Sequence, residues 1–343
     1  MGYTTSLYLW YNCKSSIYTE RVFVVISSPV PFSRYSRIIP VCLILATIAL
    51  SIIGTSIVSF AGSVPQDGEW GAATVIGHQY FDQEDENDSG TGPATVHAPY
   101  SAFYDGEKYF IADTSNNRVL IYNKYPVSDG QEADVVIGQP DMTSTAANQG
   151  AAVAANTLYG PRRVFSNGEM LFIADTQNHR VLIFETIPVV NNTAADIVVG
   201  QPDMMSNSIN QGGGAAANTL QFPGDVYADS NRLFIADTSN NRVLIFNTIP
   251  ITDNASADYV AGQTSMAMNS PNQGGGAFCN TLNAPSGVYS DGTQLVVSDT
   301  YNHRVLVHDS IPDSDGECAD YVIGQTDFTS TSENKGGGPD ATT

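Results

Sequence analysis

The segment FIADTSNNRVLI occupies residues 110–121 and occurs again, letter for letter, at residues 234–245. A close variant, FIADTQNHRVLI, begins at Phe172, and a fourth, VVSDTYNHRVLV, begins at Val296. The four copies therefore start at 110, 172, 234 and 296, at a constant spacing. A fixed period of this kind is typical of a repeat protein in which each unit packs on the next.

One repeat contains four predicted strands and no helical pattern. In the second copy these strands are RRVFS (162–166), MLFIAD (170–175), RVLIFE (180–185) and ADIVVGQ (195–201). The first two flank an Asn-Gly pair, a strong hairpin signal because both residues tolerate positive φ. Their β-branched and aromatic content also favours strands. Four short antiparallel strands per repeat predict an all-β fold, a β-propeller built of four-stranded blades.

The repeat resembles those of a known propeller family. The fourth copy reads PSGVYSDGTQLVVSDTYNHRVLVHD from Pro285, and its Asp-Thr-x-Asn-x-Arg-Val core occurs in register in all four copies. This pattern is similar to the NHL repeats of an NHL-repeat β-propeller, and the likeness covers residues 73–328. It implies four full blades of equal length over residues 97–328, and it is typical of an exported bacterial or archaeal member of that family.

The two ends of the repeat array raise the question of blade number. AATVIGHQ (72–79), within an acidic linker at 62–96, resembles one extra outer strand. The Gly-rich connecting loop at 329–343 stops shortly before the next expected proline. We expect either a fragment of a five- or six-bladed propeller or a second chain that supplies the missing strands. The fragment is the favoured hypothesis.

The N-terminal region predicts export. Residues 38–61 contain no charged side chain, and this stretch is long enough for one hydrophobic transmembrane helix. Arg34 and Arg37 precede it and no Lys or Arg follows before Lys108, so residues 1–37 are placed on the cytoplasmic side. Ser59-Phe60-Ala61 also fits a cleavage site. A membrane anchor and a cleaved signal peptide remain equally good interpretations, and both place the propeller at the cell surface or outside the cell.

Charge excludes one class of partner. The chain contains 35 acidic and 14 basic residues, and the part beyond residue 61 retains 34 acidic residues against 10 basic ones. Nucleic-acid affinity depends largely on Lys and Arg side chains that neutralise phosphates. Although some relatives of the NHL family bind RNA, we therefore predict that this chain does not bind nucleic acid.

Every copy contains one aspartate and one arginine at the same two positions, five residues apart. Because each blade carries the same pair, we interpret them as structural groups that satisfy a turn and tie neighbouring segments together. They are Asp113, Arg118, Asp175, Arg180, Asp237, Arg242, Asp299 and Arg304.

Two cysteines occur together in a single repeat. Cys279 and Cys318 align with Ala217 and Ser256 of the preceding copy, and both cysteines are absent from the others. A local disulfide in an oxidising compartment would explain this joint appearance, and two unrelated replacements are the alternative.

No pattern of catalytic residues is evident. Some propellers that resemble this family are enzymes, such as the lyase that cleaves peptidyl-hydroxyglycine with metal-bound histidines. Here only His97 is predicted near a channel mouth, and one histidine does not make a metal triad. We predict no metal and no cofactor. A secreted lyase or hydrolase, with catalytic groups partly in missing blades, remains the alternative function.

The positions around each blade's proline differ from copy to copy while their surroundings barely change. These positions enter the innermost strand and should border the central channel. We predict that they bind a ligand, and that Arg162 and Arg163 serve binding rather than folding. The predicted residues are His97, Tyr100, Tyr159, Arg162, Arg163, Gln221, Asp225 and Asn283. The favoured function is an exported or membrane-anchored scaffold that binds a protein or glycan ligand on one propeller face.

Overall fold

The computed structural model describes residues 5–14, 19–28, 74–78 and 86–338. The chain divides into two compact units, residues 1–73 and 74–343. In the first unit, strands β1 (Thr5–Lys14) and β2 (Thr19–Ser28) form an antiparallel hairpin in which Thr5 pairs with Ser28. The predicted anchor or signal at 38–61 lies outside the described residues. Within the described residues, no helix is long and apolar enough to cross a bilayer.

The second unit contains four antiparallel four-stranded sheets, each formed by consecutive strands of one repeat. Blade one contains β3 (Ser101–Tyr104), β4 (Tyr109–Asp113), β5 (Arg118–Tyr122) and β6 (Val135–Ile137). Blade two contains β7 (Arg163–Ser166), β8 (Leu171–Asp175), β9 (Arg180–Phe184) and β10 (Ile197–Val199). Blade three contains β11 (Asp225–Ala228), β12 (Leu233–Asp237), β13 (Arg242–Phe246) and β14 (Tyr259–Ala261). Blade four contains β15 (Pro285–Ser290), β16 (Leu295–Asp299), β17 (Arg304–His308) and β18 (Tyr321–Ile323).

These sheets confirm the all-β prediction and the blade architecture. The strands fall where the sequence pattern predicts them, and most ends agree closely. The fourth strands are shorter than predicted, because only the central residues of each pair with the third strand. Ile197 to Val199, for example, pair with Ile183 to Val181.

The hydrophobic core lies between blades. Phe110, Val119 and Ile121 of blade one pack with Val164 and Leu171 of blade two in one buried cluster. The corresponding residues of blades two and three, and of blades three and four, form two more clusters. These three clusters therefore join neighbouring repeats, whereas a fourth cluster joins Leu120 and Tyr122 of blade one to Val96 and Ile76.

Residues 74–78 make the contacts that an outer strand makes in the other repeats. The Val75 N–H donates to Asp129 Oδ1 at 2.9 Å, and the Gly130 N–H donates to the Val75 carbonyl at 3.3 Å. The fourth strands of blades one, two and three bond in the same way to the blade that follows each of them. The segment is not paired in a sheet, but it occupies the place of an outer strand that precedes blade one.

Candidate functional site

The repeated Asp and Arg side chains form a fully buried polar network. In blade two, Arg180 Nε lies 2.8 Å from Asp175 Oδ2, and neither side chain is exposed. The same guanidinium donates to the carbonyl oxygens of Ala154, Thr157 and Met204. Asp175 Oδ1 accepts the Tyr159 N–H at 2.8 Å. The pair therefore joins three segments around blade two. These are the loop before the blade, at Ala154 and Thr157, the residue Tyr159 before its innermost strand, and the loop at Met204 after its outer strand.

The other three pairs repeat this geometry. The Nε to Oδ2 distances are 2.6 Å for Arg118–Asp113, 2.8 Å for Arg242–Asp237 and 2.7 Å for Arg304–Asp299. Burial raises the pKa of all four aspartates, and the arginine beside each one opposes that rise. Each guanidinium bonds to several fixed acceptors in the protein interior, so the network has a structural role in this arrangement.

Asparagines that the sequence analysis did not single out connect one blade to the next. Asn148 and Asn178 exchange two side-chain hydrogen bonds of 3.1 and 2.8 Å, and Asn178 also donates to Asp175. The pairs Asn210–Asn240 and Asn272–Asn302 do the same. The sequence could have identified these asparagines by their recurrence. Every repeat has one in the segment before its proline and one in its Asp-Thr-x-Asn turn.

Three of the predicted ligand-binding residues lie at the start of the innermost strands, where the two tyrosines are exposed and Arg162 is half-buried. Tyr100 is 59% exposed and Tyr159 is 42% exposed. The Arg162 guanidinium carbon lies 5.0 Å from the centroid of the Tyr100 ring, within cation–π distance. We call this group, Tyr100, Tyr159 and Arg162, the entry patch.

The remaining predicted residues have other surroundings. His97 Nε2 lies 3.0 Å from Glu86 Oε2, and its backbone N–H donates to Asp113. The Gln221 side-chain oxygen is 3.5 Å from Asn210 Nδ2. Asn283 donates its backbone N–H to Asp299 at 2.7 Å. The side chains of His97 and Gln221 are therefore held by Glu86 and Asn210. The Asn283 contact is a backbone bond that Tyr159 makes in the same way in blade two.

Arg163 and Asp225 form an ion pair between blades two and three. Arg163 Nε lies 3.0 Å from Asp225 Oδ1, and the guanidinium carbon is 5.8 Å from the Phe103 ring centroid in blade one. Asp225 Oδ2 accepts the Val288 N–H of blade four at 2.9 Å. Burial raises the pKa of Asp225 to about 6, although Arg163 lowers it. This pair touches all four blades, so a structural contribution of Arg163 accompanies any role in binding.

The two cysteines of the propeller are bonded to each other. Cys279, before blade four, and Cys318, before its outer strand, form a disulfide between positions separated by 39 residues. The Ala319 N–H donates to the Cys279 carbonyl at 2.9 Å, and the matching Ala257 to Ala217 bond has the same length in blade three. The disulfide thus reinforces a contact that the other repeats make by backbone alone.

Among the described residues, no three His, Cys, Asp or Glu side chains are grouped so that they could hold a metal ion. His179 takes the place of an asparagine, since its Nδ1 accepts the Phe222 N–H at 3.2 Å. His308 is buried in the third strand of blade four, and burial lowers its pKa. Both histidines therefore have packing roles in the structure.

Comparison with known proteins supports the repeat assignment. The NHL repeat family model matches residues 220–246, which cover the first three strands of blade three. Blades one, two and four carry the same Asp-Thr-x-Asn-x-Arg-Val core at the same spacing as the matched repeat. No curated protein matches the chain.

The matches among solved structures are distant. A putative 6-phosphogluconolactonase from Bacteroides uniformis is 14% identical, with a TM-score of 0.41, and the match covers 70% of this chain and 60% of that one. A nidogen/laminin complex is 17% identical, with a TM-score of 0.32, and the match covers 63% and 60%. A periplasmic gluconolactonase from Pseudomonas aeruginosa is 13% identical, with a TM-score of 0.38, and the match covers 95% and 68%. The chain spans about 60% of the length of the first two.

Proposed function

We propose that this NHL-repeat chain is an exported or membrane-anchored scaffold that binds a protein or glycan ligand at the cell surface. The observation that carries the proposal is the entry patch. Its residues vary from blade to blade, whereas the Asp, Asn and Arg network around them is constant. Tyrosine and arginine supply large contact area together with hydrogen bonds, and both are enriched at binding hot spots. The mouth of the innermost strands would be the binding face.

Charge favours the same class of ligand. The part of the chain beyond residue 61 has 34 acidic and 10 basic residues, so it repels polyanions over a long range. A neutral or basic protein surface or an uncharged glycan meets no such barrier. Export is supported by the charge-free stretch at 38–61 and by the Cys279–Cys318 disulfide, which suits an oxidising compartment.

We also propose that the four blades belong to a five- or six-bladed propeller. Residues 74–78 support this because they occupy the outer-strand place of a blade before blade one. Blade four supports it because its far face carries Tyr321 and Ile323, which are 55% and 58% exposed, whereas Ile137 at the same repeat position as Ile323 is 1% exposed.

Export can be tested on intact cells. A protease added outside cells that express the full chain should digest the propeller and leave a cytosolic marker intact. Recovery of the undigested protein from the cytosol would reject the proposed location.

Binding can be tested by giving the entry patch the residues of blade four. Tyr159 aligns with Asn283 and Arg162 with Ser286, so the fold accepts Asn and Ser at these places. We would place a photo-crosslinking residue at Tyr100 in the full chain on intact cells, and screen the detergent-solubilised chain on an array of neutral and acidic glycans.

We expect one dominant crosslinked protein or binding of one class of glycan. The Tyr159→Asn/Arg162→Ser variant should lose this signal while its melting temperature stays that of the native chain. Tyr301→Ala is the control, because it removes a tyrosine that is 68% exposed and is not among the predicted ligand-binding residues, and it should leave binding intact. A chain that gives neither a crosslink nor a glycan signal, or whose signals survive the double change, has no binding site at the entry patch.

A further inference from the structure

The loops that join the third and fourth strands lie at the end of the propeller opposite the entry patch. Neighbouring strands of a blade are antiparallel, so the first and third strands both run away from the end where the entry patch lies. Adjacent blades have the same orientation, since Phe103 and Phe165 occupy one repeat position and their ring centroids are 4.8 Å apart. The four loops are therefore grouped at the opposite end. We call them the outer loops, and they span residues 123–134, 185–196, 247–258 and 309–320.

Three outer loops carry an apolar side chain that is almost fully exposed. Each loop has a buried proline, and the residue after it is exposed. In blades one to three this residue is Val127, Val189 or Ile251, with exposed fractions of 80%, 73% and 81%. We call these three side chains the apolar tips. Blade four has Asp313 at the same place, so the turn itself does not require an apolar residue.

The apolar tips of blades two and three lie between blades that the structure describes on both sides. In blade two, Asn191 Oδ1 accepts the Val136 N–H of blade one at 3.0 Å, and the Asn192 N–H donates to the Val136 carbonyl at 2.9 Å. In blade three, Asp253 Oδ1 accepts the Val198 N–H of blade two at 2.8 Å. The exposure of these two tips therefore does not result from an absent neighbouring blade, and their loops are fixed to the blade before them.

The outer loops also carry a high density of negative charge. They contain twelve acidic residues and a single basic one, Lys124. All of the acidic residues except Glu317 are exposed, and none belongs to an ion pair among the described residues. The hydrogen bonds that they accept, such as the one from Val198 to Asp253, come from neutral groups and leave the charge in place. The twelve residues are Asp129, Glu132, Asp134, Glu185, Asp196, Asp253, Asp258, Asp309, Asp313, Asp315, Glu317 and Asp320.

This charge decides which partner suits the apolar tips. A second copy of the chain, docked through the same surface, would bring its own acidic loops against them, and like charges that meet across an interface are unfavourable. An anionic membrane is repelled for the same reason, and a zwitterionic membrane gains nothing from the charge. Basic side chains around an aliphatic patch match both features, because interfaces combine an apolar centre with a polar rim.

We propose that the outer loops form a second interaction surface, which binds a basic protein segment that carries aliphatic side chains. The apolar tips supply the contacts that become buried, and the surrounding carboxylates pair with Lys and Arg of the partner. No side chain of the entry patch takes part, and the two surfaces lie at opposite ends of the propeller. The inference therefore does not depend on the proposed function and assigns a second partner to the molecule.

The test uses the full chain in nanodiscs of zwitterionic lipid, with empty nanodiscs as the reference. The probes are three peptides of equal length that alternate Lys with Leu, Lys with Ser, and Glu with Leu. Surface plasmon resonance would measure their binding at low and at high salt. We expect saturable binding of the Lys/Leu peptide, about tenfold or more tighter than that of either other peptide. High salt should weaken it, because salt screens the charges.

The matched variant removes the apolar tips without changing any charge. Val127→Ser/Val189→Ser/Ile251→Ser should weaken binding of the Lys/Leu peptide by about tenfold or more, because three apolar contacts are lost. The melting temperature should stay that of the native chain, since all three sites are exposed and blade four has a polar residue at this place. Tyr301→Ala changes the turn between the second and third strands, at the other end of blade four, and should leave the affinity unchanged.

Several results would overturn the proposal. They are absence of saturable Lys/Leu binding above that of empty nanodiscs, equal binding of either other peptide, and binding that survives the triple variant. Self-association of the chain that the triple variant abolishes would assign the apolar tips to a second copy instead. Broadening of the Val189 and Ile251 methyl signals by a nitroxide-labelled lipid would assign them to the bilayer, and either assignment would also overturn the proposal.

Discussion

Blades two and four have nearly the same sequence pattern but different burial. Every residue of β9 and β10 in blade two is buried, whereas β17 alternates between buried and half-buried residues and β18 is largely exposed. Blade two packs between blades one and three, while the described residues cover only one face of blade four. The difference shows that burial in this fold is a property of the neighbouring repeat and cannot be assigned to the strand alone.

The Arg–Asp pair of blade two should show the largest effect. Arg180→Ala leaves Asp175 buried without its counter-charge, and we expect a loss of about 3–5 kcal/mol in the free energy of unfolding. Chemical unfolding of the full chain in detergent would measure it. The double variant Asp175→Asn/Arg180→Ala should recover part of the loss, because no unpaired charge remains. Equal stabilities of Arg180→Ala and the native chain would show that the buried network is not structural.

Ile137 and Ile323 provide the most direct test of the comparison. They are the same residue at the same repeat position, but Ile137 is 1% exposed and Ile323 is 58% exposed. Ile137→Ala should cost about 2–5 kcal/mol, as for a buried core truncation. Ile323→Ala should change stability by less than about 0.5 kcal/mol, as for an exposed site. Equal losses in thermal unfolding would mean that both faces of blade four are covered in solution.

The disulfide should stabilise blade four, and only blade four. Cys279→Ala/Cys318→Ser installs the residues of blade three, and we expect a loss of about 2–4 kcal/mol. Hydrogen exchange would locate the loss in residues 279–325. A reducing agent should reproduce the effect in the native chain and have none in the double variant. Exchange that accelerates equally in blade two would contradict a local role.

Asp225 should make stability depend on pH. Its folded pKa is raised to about 6 from 3.8, mainly by burial, so the folded state binds the proton more tightly than the unfolded state. Stability should therefore fall as pH rises from about 4 to 6, by no more than about 3 kcal/mol, since one pKa unit is worth about 1.4 kcal/mol. Melting temperatures of the native chain and of Asp225→Asn across this range would check it. An unchanged pH slope in the variant would assign the dependence to other groups.

The smallest effects are expected at the two neighbouring arginines, which should differ from each other. Arg162 lies on the exposed Tyr100 ring, and Arg162→Ser should change stability by less than about 1 kcal/mol. Arg163→Gly should cost more, because it removes the counter-charge of Asp225 and a contact with Phe103. Differential scanning calorimetry of the two single variants would measure the difference. Equal and negligible losses would support the prediction that both serve binding alone.

The repeat period made most of the fold predictable. Four strands per unit follow from turn signals and apolar, β-branched runs that occur in every copy, and the four strands of blade two lie within the segments predicted for them. The Asp and Arg pairs were recognisable as architecture because every blade has them.

Contacts between blades were harder to predict, because they join residues whose relation depends on how two sheets pack. Arg163 reaches Asp225 and Phe103 across two interfaces, a geometry that spacing does not reveal. One repeat position of the innermost strands is aromatic in every blade and was visible in the sequence, with the occupants Phe103, Phe165, Tyr227 and Tyr289. The predicted site rests on variation between blades, however, and this position varies only between Phe and Tyr.

The identity of residues 110–121 and 234–245 has a consequence for how the chain reaches its native state. During folding, either segment could pair with the flanking strands of the other, and such misassembly is a known failure of repeat proteins. Cys279 and Cys318 occur in only one of the four repeats. Once oxidised to each other, they hold blade four together, whereas blades one and three, which carry the identical segments, contain no cysteine that could distinguish them.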